Sequence, residues 1–291
     1  MMRPGSLIIA IIPVFIVASC NIINPPEDSP AFIRIEEFEL NTEIFEGSNS
    51  QKITEMWLYS NGQLIGVFDP PFEVPVLQTG EQDLQIFAGI KNNGIAITRI
   101  RYPFYKIYTE TVVLQPGMTD TVKPVFEYID NLEFWMETFE DPGIKFNRAG
   151  ISDTLMELTQ IPDEIFEGTG SGIVHLDSER NYFYAFTEES LDLPAGSQFF
   201  LEMDYRCNNS FAVGLLAYSG VTLQKAAALI FNPTDDYGNG PEWNKIYIEL
   251  SYIAGQYIGF DHFELYLESS LDPGNSNALV QFDNIKIVYR Q

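Results

Sequence analysis

From residue 31 onward, apolar and polar side chains alternate in short runs, each closed by Gly, Pro, Asn or Asp. That two-residue period sends successive side chains to opposite sides of an extended chain and predicts β-strands. After the first twenty residues no helical period persists, so the pattern predicts an all-β protein. In ITEMWLYSNGQLIGVF the pair Asn61-Gly62 separates two alternating runs. It predicts a two-residue hairpin, because both central positions of that turn need positive φ. FEVPVL, EQDLQIFAGI, IAITRI, YKIYTETVVL and TVKPVFEY supply further strands, and residues 31–128 read as one small sandwich. A second, larger unit over 132–291 runs from FWMETFEDPG through SQFFLEMDYRC, PEWNKIYIEL and DHFELYLES to QFDNIKIVYRQ.

The amino terminus breaks this pattern. Leu7 to Ala18 form an apolar run behind Arg3, shorter than the roughly 20 residues of a membrane span, and residues 1–19 read as a signal peptide. Val17-Ala18-Ser19-Cys20 resembles the lipobox of bacterial lipoproteins, which implies cleavage before Cys20 and acylation of its sulfur. Two or three acyl chains, at about 0.8 kcal/mol per buried methylene, hold a protein stably on a membrane. Residues 20–30, punctuated by proline, read as a tether. Asn21 follows the cysteine, and by resemblance to Gram-negative lipoproteins the absence of Asp there implies the outer membrane. Glu27-Asp28 leaves the choice of periplasmic or cell-surface side open. The other cysteine, Cys207, shares parity with Phe199, Leu201, Met203 and Tyr205 and is expected as a small buried hydrophobe.

Charge narrows the partners. Sixteen Lys and Arg against 41 Asp and Glu give a net charge of −25, which excludes nucleic acid and attraction to an anionic lipid surface. Neutral or cationic ligands and calcium remain.

Parity also identifies the side chains that leave the core. In FFLEMDYRC these are Glu202, Asp204 and Arg206, and in EWNKIYIEL they are Trp243, Lys245, Tyr247 and Glu249. In DHFELYLES they are His262, Glu264, Tyr266 and Glu268, and NYFYAF adds Tyr182 and Tyr184. Rings beside hydrogen-bonding groups suit a sugar, whose C–H faces stack while its hydroxyls pair. The expected glycan site is therefore Trp243, Tyr247, Tyr266, Glu202, Asp204, Arg206, Tyr182 and Tyr184 on one bare face; an ordinary solvated sheet face is the alternative.

Two resemblances bear on architecture. WLYSNGQLIGVFDPPFEVPVLQTGEQDLQIFAGI, with Ile65-Gly66, a proline-bearing step and Thr79-Gly80, resembles PEGA-type repeats and immunoglobulin-like or transthyretin-like modules. Phe139-Glu140-Asp141, Gly168-x-Gly170-x-Gly172 and Phe282-Asp283-Asn284-Ile285 resemble the jelly rolls of carbohydrate-binding modules and laminarinase-like or lectin-like sandwiches. This second resemblance implies calcium ligands on the opening and closing strands, here Glu140, Asp141 and Asp283, the last expected to point coreward by its parity with Ile285 and Ile287. Laminarinase-like enzymes carry Glu-x-Asp-x-Glu or Glu-x-Asp-x-x-Glu. Glu202-Met203-Asp204 supplies only the first half, with Arg206 or Cys207 where the acid belongs. His175 and His262 lack zinc-ligand spacing, no Gly-x-Ser-x-Gly elbow occurs, and the glycines at 168–172 lack the Lys-Ser/Thr of a phosphate loop. The expectation is a non-catalytic, lipid-anchored protein of the outer membrane that binds a polysaccharide. Docking of an envelope protein partner is the alternative, and glycoside hydrolysis the weaker one.

Overall fold

Strands form where alternation predicts them in a computed structural model that describes residues 29–193, 196–234 and 240–290. The first unit contains β1 (Ala31–Ile35), β2 (Glu39–Leu40), β3 (Glu55–Ser60), β4 (Gln63–Phe68), β5 (Phe72–Val76) and β6 (Gly80–Lys91). It continues with β7 (Arg99–Arg101), β8 (Tyr108–Leu114), β9 (Thr119–Thr121) and β10 (Val125–Phe126). One sheet has the order β4-β3-β6-β7, with β8 also on β6. Facing it, β1 pairs antiparallel with β5 and parallel with β9, while β2 pairs with β10. Asn61 (φ 48°) and Gly62 (φ 75°) make the β3–β4 turn, and the Asn61 side chain accepts from the Asp83 amide at 2.9 Å. Ile33, Met56, Leu58, Leu84 and Ile86 fill the space between the layers.

The second unit contains β11 (Leu132–Glu137), β12 (Phe146–Arg148), β13 (Met156–Thr159), β14 (Ser171–Asp177), β15 (Tyr182–Thr187) and β16 (Phe199–Cys207). It ends with β17 (Phe211–Ser219), β18 (Thr222–Phe231), β19 (Asn244–Glu249), β20 (His262–Ser270) and β21 (Asn277–Arg290). These build a jelly-roll sandwich. The rear sheet runs β13-β14-β21-β16-β19, with β11 also on β21, and the front sheet runs β12-β15-β20-β17-β18. Val174, Leu201, Met203, Val213, Leu265, Val280 and Ile287 interdigitate between them, and Cys207 is fully buried in the same core. Among the described residues no helix is long and apolar enough to cross a membrane.

The outer side of the rear sheet packs on the first unit. Phe200, Tyr247 and Val288 leave the jelly roll and enter the first unit's hydrophobic core. The Tyr102 ring lies 5.2 Å from Phe200 and 5.0 Å from Tyr247. Side chains of this size contribute about 1.5–3 kcal/mol each on full burial, so the contact is a shared core. The turn after β6 extends it: Asn93 donates its backbone N–H to the Tyr247 carbonyl at 2.8 Å, and the Asn92 side chain bonds Glu249.

Candidate functional site

The outer face of the front sheet carries a cluster of aromatic rings, half-buried except for the buried Tyr266. Strand β15 contributes Tyr182, Tyr184 and Phe186, whose alternate neighbours Phe183 and Ala185 lie in the core. Adjacent β20 contributes His262, Glu264, Tyr266 and Glu268, and β17 adds Tyr218. Tyr184 meets Phe186 at 6.5 Å and Tyr266 at 5.8 Å, and Tyr218 stacks on His262 at 4.7 Å. Lys225 of β18 sits over Tyr184 and Tyr266, 4.4 and 4.7 Å from the ring centres. The floor needs a glycine: a Cβ at Gly214 would lie 2.7 Å from the Tyr266 ring.

Polar groups are interleaved with the rings. Tyr182 donates to Glu268 at 2.5 Å, Tyr218 donates to Glu264 at 2.7 Å, and Lys225 pairs with Glu268 at 2.6 Å. Burial, followed by the charges of Glu268 and Glu264, raises the Tyr184 hydroxyl to about 12. Burial and Glu268 likewise raise Tyr266 to about 12. Tyr182 and Tyr218 are raised by burial and by the carboxylates they bond. The four hydroxyls therefore remain protonated donors across the physiological range. Tyr218 follows alternation, sharing outward parity with Ala212 and Gly214 in FAVGLLAYSG, but the apolar Leu216 at the same parity hides the pattern.

The expected single bare face is corrected by the structure, which divides its eight residues between two sheets. Tyr182 and Tyr184 stand half-buried on the front, but Tyr266 beside them is corrected too: it is 1% exposed, covered by Lys225 and Tyr184, and lies beneath the surface rather than on it. Glu202, Asp204 and Tyr247 stand on the rear, at 0%, 1% and 2% exposure, because the first unit covers them. Alternation correctly turns them away from the jelly-roll core; the side they turn to is another core. Glu202 accepts from Tyr102 at 2.5 Å and from Tyr128 at 2.8 Å, while Asp204 accepts from Ser50 at 2.8 Å. Lys245 lies 3.9 Å from Glu202 and 3.4 Å from Asp204. Burial raises Asp204, opposed by Lys245, and burial lowers Lys286 to about 8, opposed by Glu202. A carboxylate pair closed to solvent admits no sugar, so Glu202 and Asp204 form part of a joint between units. Trp243 precedes β19 and packs on Phe166 at 5.3 Å, with the Arg206 guanidinium 5.0 Å from its ring. Arg206 donates to Gln281 and to the Asp163 carbonyl, each at 2.8 Å.

The three carboxylates expected to hold calcium are also separated in role. Glu140 accepts from the Thr169 N–H at 2.9 Å and its hydroxyl at 2.7 Å, securing the glycine-rich turn. Asp141 is exposed. Asp283 does not point coreward: a register shift in the β16–β21 pairing, with Asn284 at φ 47°, reverses parity between Phe282 and Ile285. Its carboxylate accepts from Ser171 at 2.5 Å and from the Asn284 N–H at 2.8 Å. Among the described residues no three His, Cys, Asp or Glu side chains are grouped to hold a metal. Cys20 and the signal segment lie outside the described residues.

No protein-family model matches the sequence, and no curated protein matches it. Solved structures do. One is a mutant family 29 carbohydrate-binding module complexed with mannohexaose, at 12% identity over 54% of this chain and 92% of that chain, TM-score 0.34. Another is a family 28 module described as specific for non-crystalline cellulose, at 13% identity over 53% and 92%, TM-score 0.38. A third is the K1 cleaved adhesin domain of Lys-gingipain from Porphyromonas gingivalis W83, at 16% identity over 53% and 97%, TM-score 0.37. At these scores the ligands of those modules do not transfer to this chain.

Proposed function

We propose that this protein is a lipid-anchored component of the outer membrane that binds glycan without catalysis, through the outer face of its front sheet. The observation that carries the reading is the cluster of half-buried Tyr182, Tyr184, Phe186, Tyr218 and His262, with Tyr266 buried beneath them, on the side of the jelly roll away from the first unit. Stacking on rings and pairing with Glu264, Glu268 and Lys225 supply the two contacts a sugar needs. Carboxylates outnumber cations on this face, as they do in the whole chain, so neutral polysaccharides fit best. The joint between the units sets this face on a firm base, and Cys20 supplies the anchor.

Affinity gel electrophoresis against a panel of neutral polysaccharides tests the reading. Retardation by at least one, lost in the Tyr182→Ala/Tyr184→Ala double variant, is the expected result. Free migration on every polysaccharide overturns it. A second reading, docking of an envelope protein on the same face, is favoured by Leu223 and Ile230. These edge-strand side chains point outward at 50% and 69% exposure. A copurifying envelope protein released by Leu223→Asp or Ile230→Asp, with no glycan retardation, would decide for it.

A further inference from the structure

A concave surface lies at the seam between the units, bordered by Ile230 at the end of β18. Lys52 and the Asn93-Gly94 turn of the first unit form one wall, and the end of β18 with the start of β19 forms the other, around a cleft of about 530 Å³. That volume falls within the range of small-ligand sites. Trp243 and Asn244 are half-buried at its surface, over the buried Phe231, Tyr205 and Ile246. Asn244 links the units, donating to the Tyr205 hydroxyl at 3.0 Å and accepting from the Lys52 ammonium.

The described lining carries one lysine and one glutamate, against the acid excess of the whole chain. Among the described residues no carboxylate lies within ion-pair distance of Lys52, whose bonded side-chain partner is the neutral Asn244. Burial and the neighbouring charge of Lys91 both lower its pKa. Glu242, the carboxylate among the described lining residues, is exposed and makes no ion pair with Lys52. A bound anion would relieve the repulsion between Lys52 and Lys91 and be held by charge-assisted hydrogen bonds.

We infer that the seam cleft binds an acidic saccharide, a sugar carrying a carboxylate, with that group on Lys52 and the ring against Trp243 and Asn244. Both units contribute to the site, so neither unit alone completes it.

Isothermal titration calorimetry on the full chain with digalacturonate, and with galactobiose as the neutral counterpart, tests the assignment. Digalacturonate binding, weaker with added salt and weakened about tenfold or more in Lys52→Ala, is expected, with recovery in Lys52→Arg. In the Tyr182→Ala/Tyr184→Ala variant, whose front face is disabled, galactobiose should bind at least about tenfold more weakly than digalacturonate. The Tyr182→Ala/Tyr184→Ala variant should bind digalacturonate as the wild type does, which separates this site from the front face. Equal affinity of the tyrosine double variant for the two sugars, an unchanged affinity in Lys52→Ala, loss of digalacturonate binding in the tyrosine double variant, or no binding of either sugar overturns the inference.

Discussion

Asp204 and Asp283 are register partners on β16 and β21, yet a cation reaches only one of them. Lys245 stands 3.4 Å from Asp204, which also accepts from Ser50 and Asn284. Asp283 receives the Ser171 hydroxyl and the Asn284 N–H, and no ion pair among the described residues includes it. Burial, reinforced by the charges of Asp204 and Glu167, pushes its carboxyl up to about 7.

The consequence is a pH dependence of unusual sign. An Asp near 3.9 in the unfolded chain and near 7 in the folded one binds its proton more tightly when folded. Its contribution is fully present below about pH 4 and is lost as pH rises through about 7, a change on the order of 4 kcal/mol at 1.36 kcal/mol per unit. Lys286, lowered to about 8, titrates above this window. Urea unfolding of wild type and Asp283→Asn from pH 4 to pH 8 checks this. The stability of the variant relative to wild type should rise with pH; a difference that does not change with pH would contradict it.

Glu202 makes the second test. Its carboxylate is fully buried and accepts hydroxyls from Tyr102 and Tyr128, both on the other unit, while Lys286 donates to Tyr128 at 3.2 Å. A hydrogen bond to a charged group is worth about 1.5–3 kcal/mol, and a buried charge that loses its partners costs more. Tyr128→Phe should therefore destabilise the protein by about that amount. Because the bond spans the joint, the double variant Tyr102→Phe/Tyr128→Phe should split one cooperative urea transition into two. A single unshifted transition would show that the joint does not depend on these hydroxyls.

Much of this is legible in the sequence, and the failures have identifiable causes. Alternation places Glu202, Asp204, Tyr247 and Tyr266 outside the jelly-roll core, because local sterics fix which side a strand residue faces. It does not tell which of two sheets a strand joins, so residues of β16 and β20 are read as one surface when the sandwich separates them. A signal for the covered side does exist. Phe200 and Val288 are apolar at outward positions, in Phe199-Phe200-Leu201 and Ile287-Val288, as expected of a strand buried on both faces. Asp283 is misassigned because one bulged residue reverses every later side chain, and Asn284 is not a glycine that would mark the bulge.

Gly214 offers a test of the front face that leaves its aromatic residues unchanged. A methyl group there would press on the Tyr266 ring and on the Ala226 carbonyl across β17 and β18. Overpacking of this kind costs about 1–3 kcal/mol, and relief requires both the β18 backbone at Ala226 and the Tyr266 ring under Lys225 to shift. Gly214→Ala should lower the thermal midpoint and weaken glycan retardation together. A variant that loses stability yet retains full retardation would show that Tyr266 does not shape the binding surface.

The two cysteines give a chemical test of the anchor. Cys207 is fully buried, its sulfur 3.5 Å from the Asn232 carbonyl oxygen, and burial raises its thiol to about 11. A thiol so placed is both shielded and protonated, and should ignore Ellman's reagent until the jelly roll unfolds. If Cys20 carries the lipid its sulfur is a thioether and never reacts. Protein extracted from membranes should therefore show no reactive thiol when native and one per chain in guanidinium. Two thiols on unfolding would overturn the lipid anchor. One thiol on unfolding from a Cys20→Ala protein found in the soluble fraction would tie that remaining thiol to Cys207 and the membrane attachment to Cys20.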